Sequence, residues 1–125
     1  MAKEERKFDL EDRLIDFASL IAEVVEGLPN TRAANHLGGQ MIRSGSSPAL
    51  NYGEAQEAES KKDFIHKMAI CRKELRETKV ALKIVIRKPY REVLIVAEKT
   101  LQECMELFAI FSKSIETAKK NLQMN

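Results

Sequence analysis

Residues 60–89 read SKKDFIHKMAICRKELRETKVALKIVIRKP, and this stretch decides the fold. Phe64, Met68, Cys71, Leu75, Thr78, Leu82 and Val85 alternate steps of four and three residues without a slip. That is the spacing of a helix packed against other helices. Ser60 opens the helix with Asp63 at the N3 position, a variant of the capping box. Lys88-Pro89 closes it, because the residue before a proline is driven out of helical space, and Pro89 suits the first turn of the next helix.

Working outward, the same periodicity recurs on both sides. Leu10, Leu14, Phe17, Ile21, Val24 and Leu28 place a first helix from Asp9. Gly27 is expected in the left-handed C′ conformation, and Pro29 stops continuation. Asn30 or Thr31 then caps a second helix, about Arg32 to Ala58. This one is unusual, since it contains Gly38, Gly39, Ser44, Gly45, Ser46, Ser47, Pro48, Ala49 and Gly53. An interior Pro costs about 3 kcal/mol and an interior Gly about 1 kcal/mol relative to Ala. A long loop would avoid both penalties. A helix kinked at Pro48 is the preferred reading, because Leu37, Met41, Ile42, Leu50, Tyr52, Ala55 and Ala58 leave apolar groups on both sides. Small residues also let a neighbouring helix approach closely. The fourth helix carries Val93, Ala97, Leu101, Cys104, Phe108, Phe111, Ile115 and Leu122, with Lys119 and Lys120 against the negative end of its dipole.

Connections this short make sequential helices antiparallel neighbours. The expected fold is all-α, an antiparallel up-down four-helix bundle, with residues 1–125 forming a single domain. The chain is 44% hydrophobic and 32% charged, which suits a folded globular domain rather than disorder. No apolar run approaches the roughly 20 residues of a membrane span. The charged N-terminus lacks the apolar stretch of a signal peptide. Two cysteines without a disulfide framework point to a reducing compartment, and the expectation is a cytoplasmic protein.

The formal charge of +2 hides an asymmetry. Residues 1–60 hold six Lys/Arg against eleven Asp/Glu, or −5; residues 61–91 hold eleven against three, or +8; residues 92–125 hold four against five, or −1. On a helical wheel Lys61, Lys62, Arg72, Lys73, Arg76, Lys79, Lys83 and Arg87 fall in an arc of roughly 120°, running along about 40 Å of helix. Such a stripe is an electrostatic footprint for phosphates or an acidic protein. The competing reading is a solvated face partly neutralised by the acidic first helix.

Other chemistry finds little support. A di-iron bundle needs two Glu-x-x-His motifs, and the sequence contains none. Asp63-x-x-His66 is the nearest approach, with His66 on the polar side, and Glu54, Glu57 and Glu59 have no His in register. Cys71 and Cys104 sit at core positions, where cysteine behaves as a small hydrophobe. Nothing in the sequence points to an activated thiolate, although His36 or His66 could in principle approach one. No nucleophile elbow, phosphate-binding glycine loop or dinucleotide fingerprint is present. No catalytic residue, metal or cofactor is expected.

Three segments, FDLEDRLIDFASLIAEVVEGLP, QMIRSGSSPALNYGEA and SKKDFIHKMAICRKELRET, resemble in order one family of bacterial four-helix bundle proteins. These are the S23 proteins, first described from open reading frames in intervening sequences of 23S ribosomal RNA genes. The similarity covers roughly Phe8 to Asn121. It implies an up-down bundle assembling as a homopentamer, most members having no known biochemical role. One branch, the accessory proteins of diversity-generating retroelements, binds nucleic acid and partners a reverse transcriptase. Arg43, Ser47, Asn51, Glu54, Arg72 and Glu77 match recurrent polar positions of the family. They read as a buried network fixing the register of helices two and three. The sequence departs from the family pattern in lacking a Trp in the first helix, with Leu14 and Ile15 in that region, and in a proline shifted by about one position.

The expectation is therefore a non-enzymatic homo-oligomer presenting a basic helix-three stripe to RNA or DNA, without membrane association. The alternative is a structural or protein-interaction scaffold that binds no nucleic acid.

Overall fold

The computed structural model describes residues 9–124. Four helices follow in order: α1 (Leu10–Gly27), α2 (Arg32–Gln56), α3 (Lys61–Arg87) and α4 (Leu94–Met124), with a 3₁₀ turn at Arg91–Val93 leading into α4. Three side-chain caps set the starts. Asp9 accepts from the Asp12 N–H at 3.1 Å, Thr31 from Ala34 at 3.1 Å and Ser60 from Asp63 at 3.0 Å. Each satisfies one of the amide groups that a helix start leaves without a partner.

α2 packs on both α1 and α3, α3 on both α2 and α4, and α4 closes on α1 through the lightest seam. The expected all-α up-down bundle is observed, and α1 and α3 stand at diagonal corners. Leu14, Phe17, Ile21 and Val24 of α1 meet Met41 of α2, Met68, Cys71, Leu75, Leu82 and Val85 of α3, and Cys104, Leu107 and Phe111 of α4 in the core. No described helix is long and apolar enough to cross a membrane.

α2 continues through Pro48, which is buried inside it. Proline has no N–H, so the Ser44 carbonyl loses its usual helical donor. The small residues of α2 permit close packing on α1. A Cβ added at Gly45 would lie 2.7 Å from Ile21 Cγ1 and 2.8 Å from Cγ2, and one at Gly38 would lie 3.2 Å from Val25 Cγ1.

Several local expectations are corrected. Gly27 does not take a left-handed conformation, for no described residue has positive φ. The helix ends instead at Leu28 in extended geometry, and Gly27 is needed for space, since a Cβ there would meet Val93 Cγ1 at 2.5 Å. Pro89 lies in the turn between helices rather than in the first turn of α4. Thr100 and Leu107, absent from the expected apolar set, are buried in α4, while Leu101 and Phe108 are only partly so. The Thr100 hydroxyl donates to the Val96 carbonyl at 2.6 Å, which is how a polar side chain occupies a core position. Lys119 and Lys120 fall short of the helix end, which extends to Met124.

Candidate nucleic-acid interface

α3 begins at its Ser60 cap and runs unbroken to Arg87, so the eight basic positions of the stripe keep one helical phase. Lys61, Lys62, Lys73, Arg76, Lys83 and Arg87 are exposed, and Arg72 and Lys79 are partly buried. Lys79 lays its stem toward α4, with its ammonium 5.2 Å from the centroid of Phe108. That placement lets a long basic side chain cover apolar surface while its charge stays wet. Among the described residues none of the eight forms an ion pair. Among the described residues no carboxylate of α1 pairs with the stripe, and α1 stands at the opposite corner of the bundle.

The expected polar network is present in pieces. Arg43 of α2 bridges to Glu77 at 2.9 Å and Glu74 at 3.2 Å across the α2–α3 seam. The Glu77 hydrogen bond, then the nearby Glu74 charge, hold the Arg43 guanidinium above its ordinary pKa. Asn51 donates to the Ser47 hydroxyl at 2.7 Å and to the Ser47 carbonyl at 3.0 Å, within α2 alone. Glu54 pairs with Lys67 at 3.5 Å rather than with any of the expected residues, and Arg72 joins no ion pair among the described residues. The network is also not buried in the single chain: the Arg43 side chain is 59% exposed and that of Glu77 43%. Both side chains are long enough to meet at the rim of the seam, where water screens the pair.

The buried polar contact between these helices is a different one. Thr78 donates to the Glu74 carbonyl at 2.8 Å, which leaves the Ser44 hydroxyl to donate to Thr78 Oγ1, also at 2.8 Å. Thr78 occupies an apolar heptad position, and no spacing rule links it to Ser44. Among the described residues no buried side-chain nitrogen or oxygen lacks a partner.

Two further features escaped the sequence reading. Val80 and Ile84, one turn apart, are 50% and 49% exposed on the α2 side of the stripe. With Leu37, Gln40, Arg76, Glu77 and Ala81 they line an open groove of about 370 Å³. The available signal was two β-branched aliphatic residues on the polar side of the wheel, Val80 within the basic arc and Ile84 beside it. On the opposite corner, Glu11, Asp12, Asp16, Glu23 and Glu26 of α1 are exposed, and none is in an ion pair among the described residues. Asp9, by hydrogen bond and charge, raises the carboxyl pKa of Asp12, and Asp16 and Glu11 add to it. Arg13, the one basic residue of α1, is turned away onto α4, where it holds Glu103 at 2.7 Å and Glu106 at 2.8 Å.

The remaining reactive groups are placed for packing. Burial pushes both the Cys71 and Cys104 thiols up to about 12, and each donates to a carbonyl of a neighbouring helix, Pro48 at 3.6 Å and Leu75 at 3.2 Å. Among the described residues no three His, Cys, Asp or Glu side chains converge to hold a metal.

A family model described as 23S rRNA-intervening sequence protein matches residues 6–116. A crystal structure from Bacteroides thetaiotaomicron, described as a protein with unknown function from the S23 ribosomal protein family, is 31% identical. The match covers 86% of this chain and 98% of that one, with a TM-score of 0.76. No curated protein matches the chain.

Proposed function

This chain belongs to the 23S rRNA-intervening sequence protein family, and on that footing we propose that it acts without catalysis, as a homo-oligomeric bundle presenting the basic face of α3 to RNA or DNA phosphates. The observation that carries this reading is the absence, among the described residues, of any acidic partner for the eight stripe residues. A face that merely solvates the fold is usually interspersed with both signs, whereas here Glu74 and Glu77 of α3 pair with Arg43 of α2 and Asp63 pairs with Lys67, outside the stripe. Phosphate contacts of this kind give affinity with little sequence preference, and the affinity is strongly salt-dependent. The two buried, protonated thiols support the non-enzymatic part of the reading, since neither is available as a thiolate nucleophile near neutral pH.

The test is fluorescence anisotropy with labelled mixed-sequence RNA and duplex DNA. Log affinity should fall linearly with log salt, at about 0.9 per neutralised phosphate for duplex DNA and about 0.7 for single strands. Reversing Lys61, Lys62 and Arg72 to Glu should abolish binding while leaving the helical circular-dichroism signal unchanged. No binding at low salt, or binding that the triple reversal leaves intact, would assign the protein to the scaffold class instead.

A further inference from the structure

We propose that the cavity at the end of the bundle where the α1–α2 and α3–α4 turns meet takes the terminal phosphate of an RNA or DNA strand lying along α3. The proposal rests on the nucleic-acid reading above and adds where a strand ends and which chemical group ends it. Pro29, Thr31 and Ala33 line this cavity from one turn, and Lys88, Tyr90 and Arg91 from the other, around about 510 Å³. That volume falls in the range of small-ligand sites and holds a phosphate with its sugar. Val93, just beyond Arg91, packs on Gly27 and so ties the two turns together.

Tyr90 is the residue that points to a ligand. Its main chain is fixed, with the N–H donating to the Val85 carbonyl at 2.9 Å and the carbonyl accepting from the Val93 N–H at 3.2 Å. The residue is only 7% exposed, yet its hydroxyl makes no hydrogen bond among the described residues. No sealed side-chain oxygen of the described residues lacks a partner, so this hydroxyl is not shut in the core and opens onto the cavity that Tyr90 lines. An enclosed tyrosine hydroxyl ordinarily has a partner. The Lys88 ammonium lies 5.1 Å from the centroid of the same ring, a cation–π placement that holds its charge at the cavity wall. Among the described residues neither Lys88 nor Arg91 is in an ion pair. Glu92 also lines the cavity, which leaves two bases against one acid, and its carboxylate sits in the first turn leading into α4, where it answers the positive end of that helix.

The cavity continues the stripe. Lys88 belongs both to it and to the groove that Lys83, Ile84 and Arg87 line on α3. A strand whose phosphates follow Lys83 and Arg87 therefore arrives at Lys88, and there α3 ends and the basic track stops. The donors gathered at that point exceed what an internal phosphodiester, with one charge and two free oxygens, can use. A terminal phosphate carries about −1.5 to −2 near neutral pH and offers three acceptor oxygens. An ammonium, a guanidinium and a phenol hydroxyl match three oxygens, and charge assistance strengthens the first two bonds. The start of α2 adds the positive end of its dipole, although the Thr31 hydroxyl itself is committed to the Ala34 N–H. Pro29, Ala33 and Pro89 leave apolar surface for the sugar.

Anisotropy with three internally labelled strands of one sequence tests this: one with hydroxyls at both ends, one with a 5′-phosphate and one with a 3′-phosphate. At least one phosphorylated strand should bind about tenfold tighter than the hydroxyl-ended strand. Lys88→Gln, Arg91→Gln and Tyr90→Phe should each shrink that ratio, and Glu92→Gln should enlarge it, all with an unchanged helical circular-dichroism signal. Adenosine 5′-monophosphate separates a strand end from a free nucleotide. It should bind far more weakly than the phosphorylated strand, because it lacks the linked contacts along the stripe. A mononucleotide that binds as tightly as the strand makes the cavity a small-molecule site and overturns the strand-end assignment. Equal affinity for all three strands, or a preference that the Lys88 and Arg91 variants leave intact, overturns the terminal-phosphate proposal while the nucleic-acid reading stands. No binding of any strand at low salt overturns both.

Discussion

Replacing Gly45 with alanine should destabilise the protein, although alanine is the better helix former. At an open helical position the exchange gains about 1 kcal/mol. At Gly45 the added methyl would meet Ile21 Cγ1 at 2.7 Å, Cγ2 at 2.8 Å and Cβ at 3.1 Å. These are not the far end of a flexible chain but the branch point of a β-branched side chain that is fully buried. Either Ile21 leaves its rotamer or α1 and α2 move apart, and forcing an extra methyl into a packed core costs about 1–3 kcal/mol. The net expectation is a loss of about 1 kcal/mol, which lowers the thermal midpoint of a domain this size by about 4 °C. Gly39→Ala is the control, because nothing lies within 4 Å of its added Cβ, and it should raise the midpoint by a similar amount. Both are measured by circular dichroism at one protein concentration, so that assembly does not alter the comparison. Combining Gly45→Ala with Ile21→Ala closes the cycle. Ile21→Ala alone should cost about 2–5 kcal/mol, and the new methyl should partly refill its cavity, so the double variant should be less destabilised than the sum. A midpoint raised by Gly45→Ala, or strict additivity, would refute the close-approach argument.

Two further predictions concern buried polar groups. Thr78→Val strands the Ser44 hydroxyl and should cost about 1–3 kcal/mol in urea unfolding, more than Ser44→Ala, with the double variant recovering part of the loss; equal costs would contradict the donor order. The Cys71 and Cys104 thiols, ordinarily at 9.0 and pushed by burial to about 12, should resist thiol reagents at pH 8 until the protein unfolds. Folding raises these acids' pKa, so their contribution to stability is complete below pH 9 and is lost as pH rises toward 12; rapid labelling of folded protein at pH 8 would overturn this.

The helices were legible because burial imposes a period on the sequence. Of the expected positions in α3, Met68, Cys71, Leu75, Thr78, Leu82 and Val85 are buried and Phe64 partly so, and the Thr31 and Ser60 caps carry their expected bonds. What periodicity misses is contact between helices far apart in sequence. Gly27 looked like a terminator because its neighbour is Leu28-Pro29, whereas Val93, 66 positions away, sets its size. Arg43, Glu54 and Glu77 could be singled out as polar residues, but how far each side chain reaches the rim is decided by the spacing of α2 and α3. The basic stripe needed only one helix and its phase, so its residues were legible. Its lack of acidic partners was not, because that depends on α1 standing at the diagonal corner.

That diagonal separation has an electrical consequence. Exposed carboxylates at one corner and unpaired bases at the opposite one give each chain a large dipole moment across the bundle, on top of the partial charges at its helix ends. A single chain in an alternating field should therefore show a strong dielectric relaxation at the tumbling rate of a 14.2 kDa particle. Copies related by rotation about an axis parallel to the helices point their transverse moments in evenly spaced directions, and these vectors sum to zero. Ring closure would thus extinguish the signal, leaving a moment only along the axis, where the antiparallel helices already oppose one another.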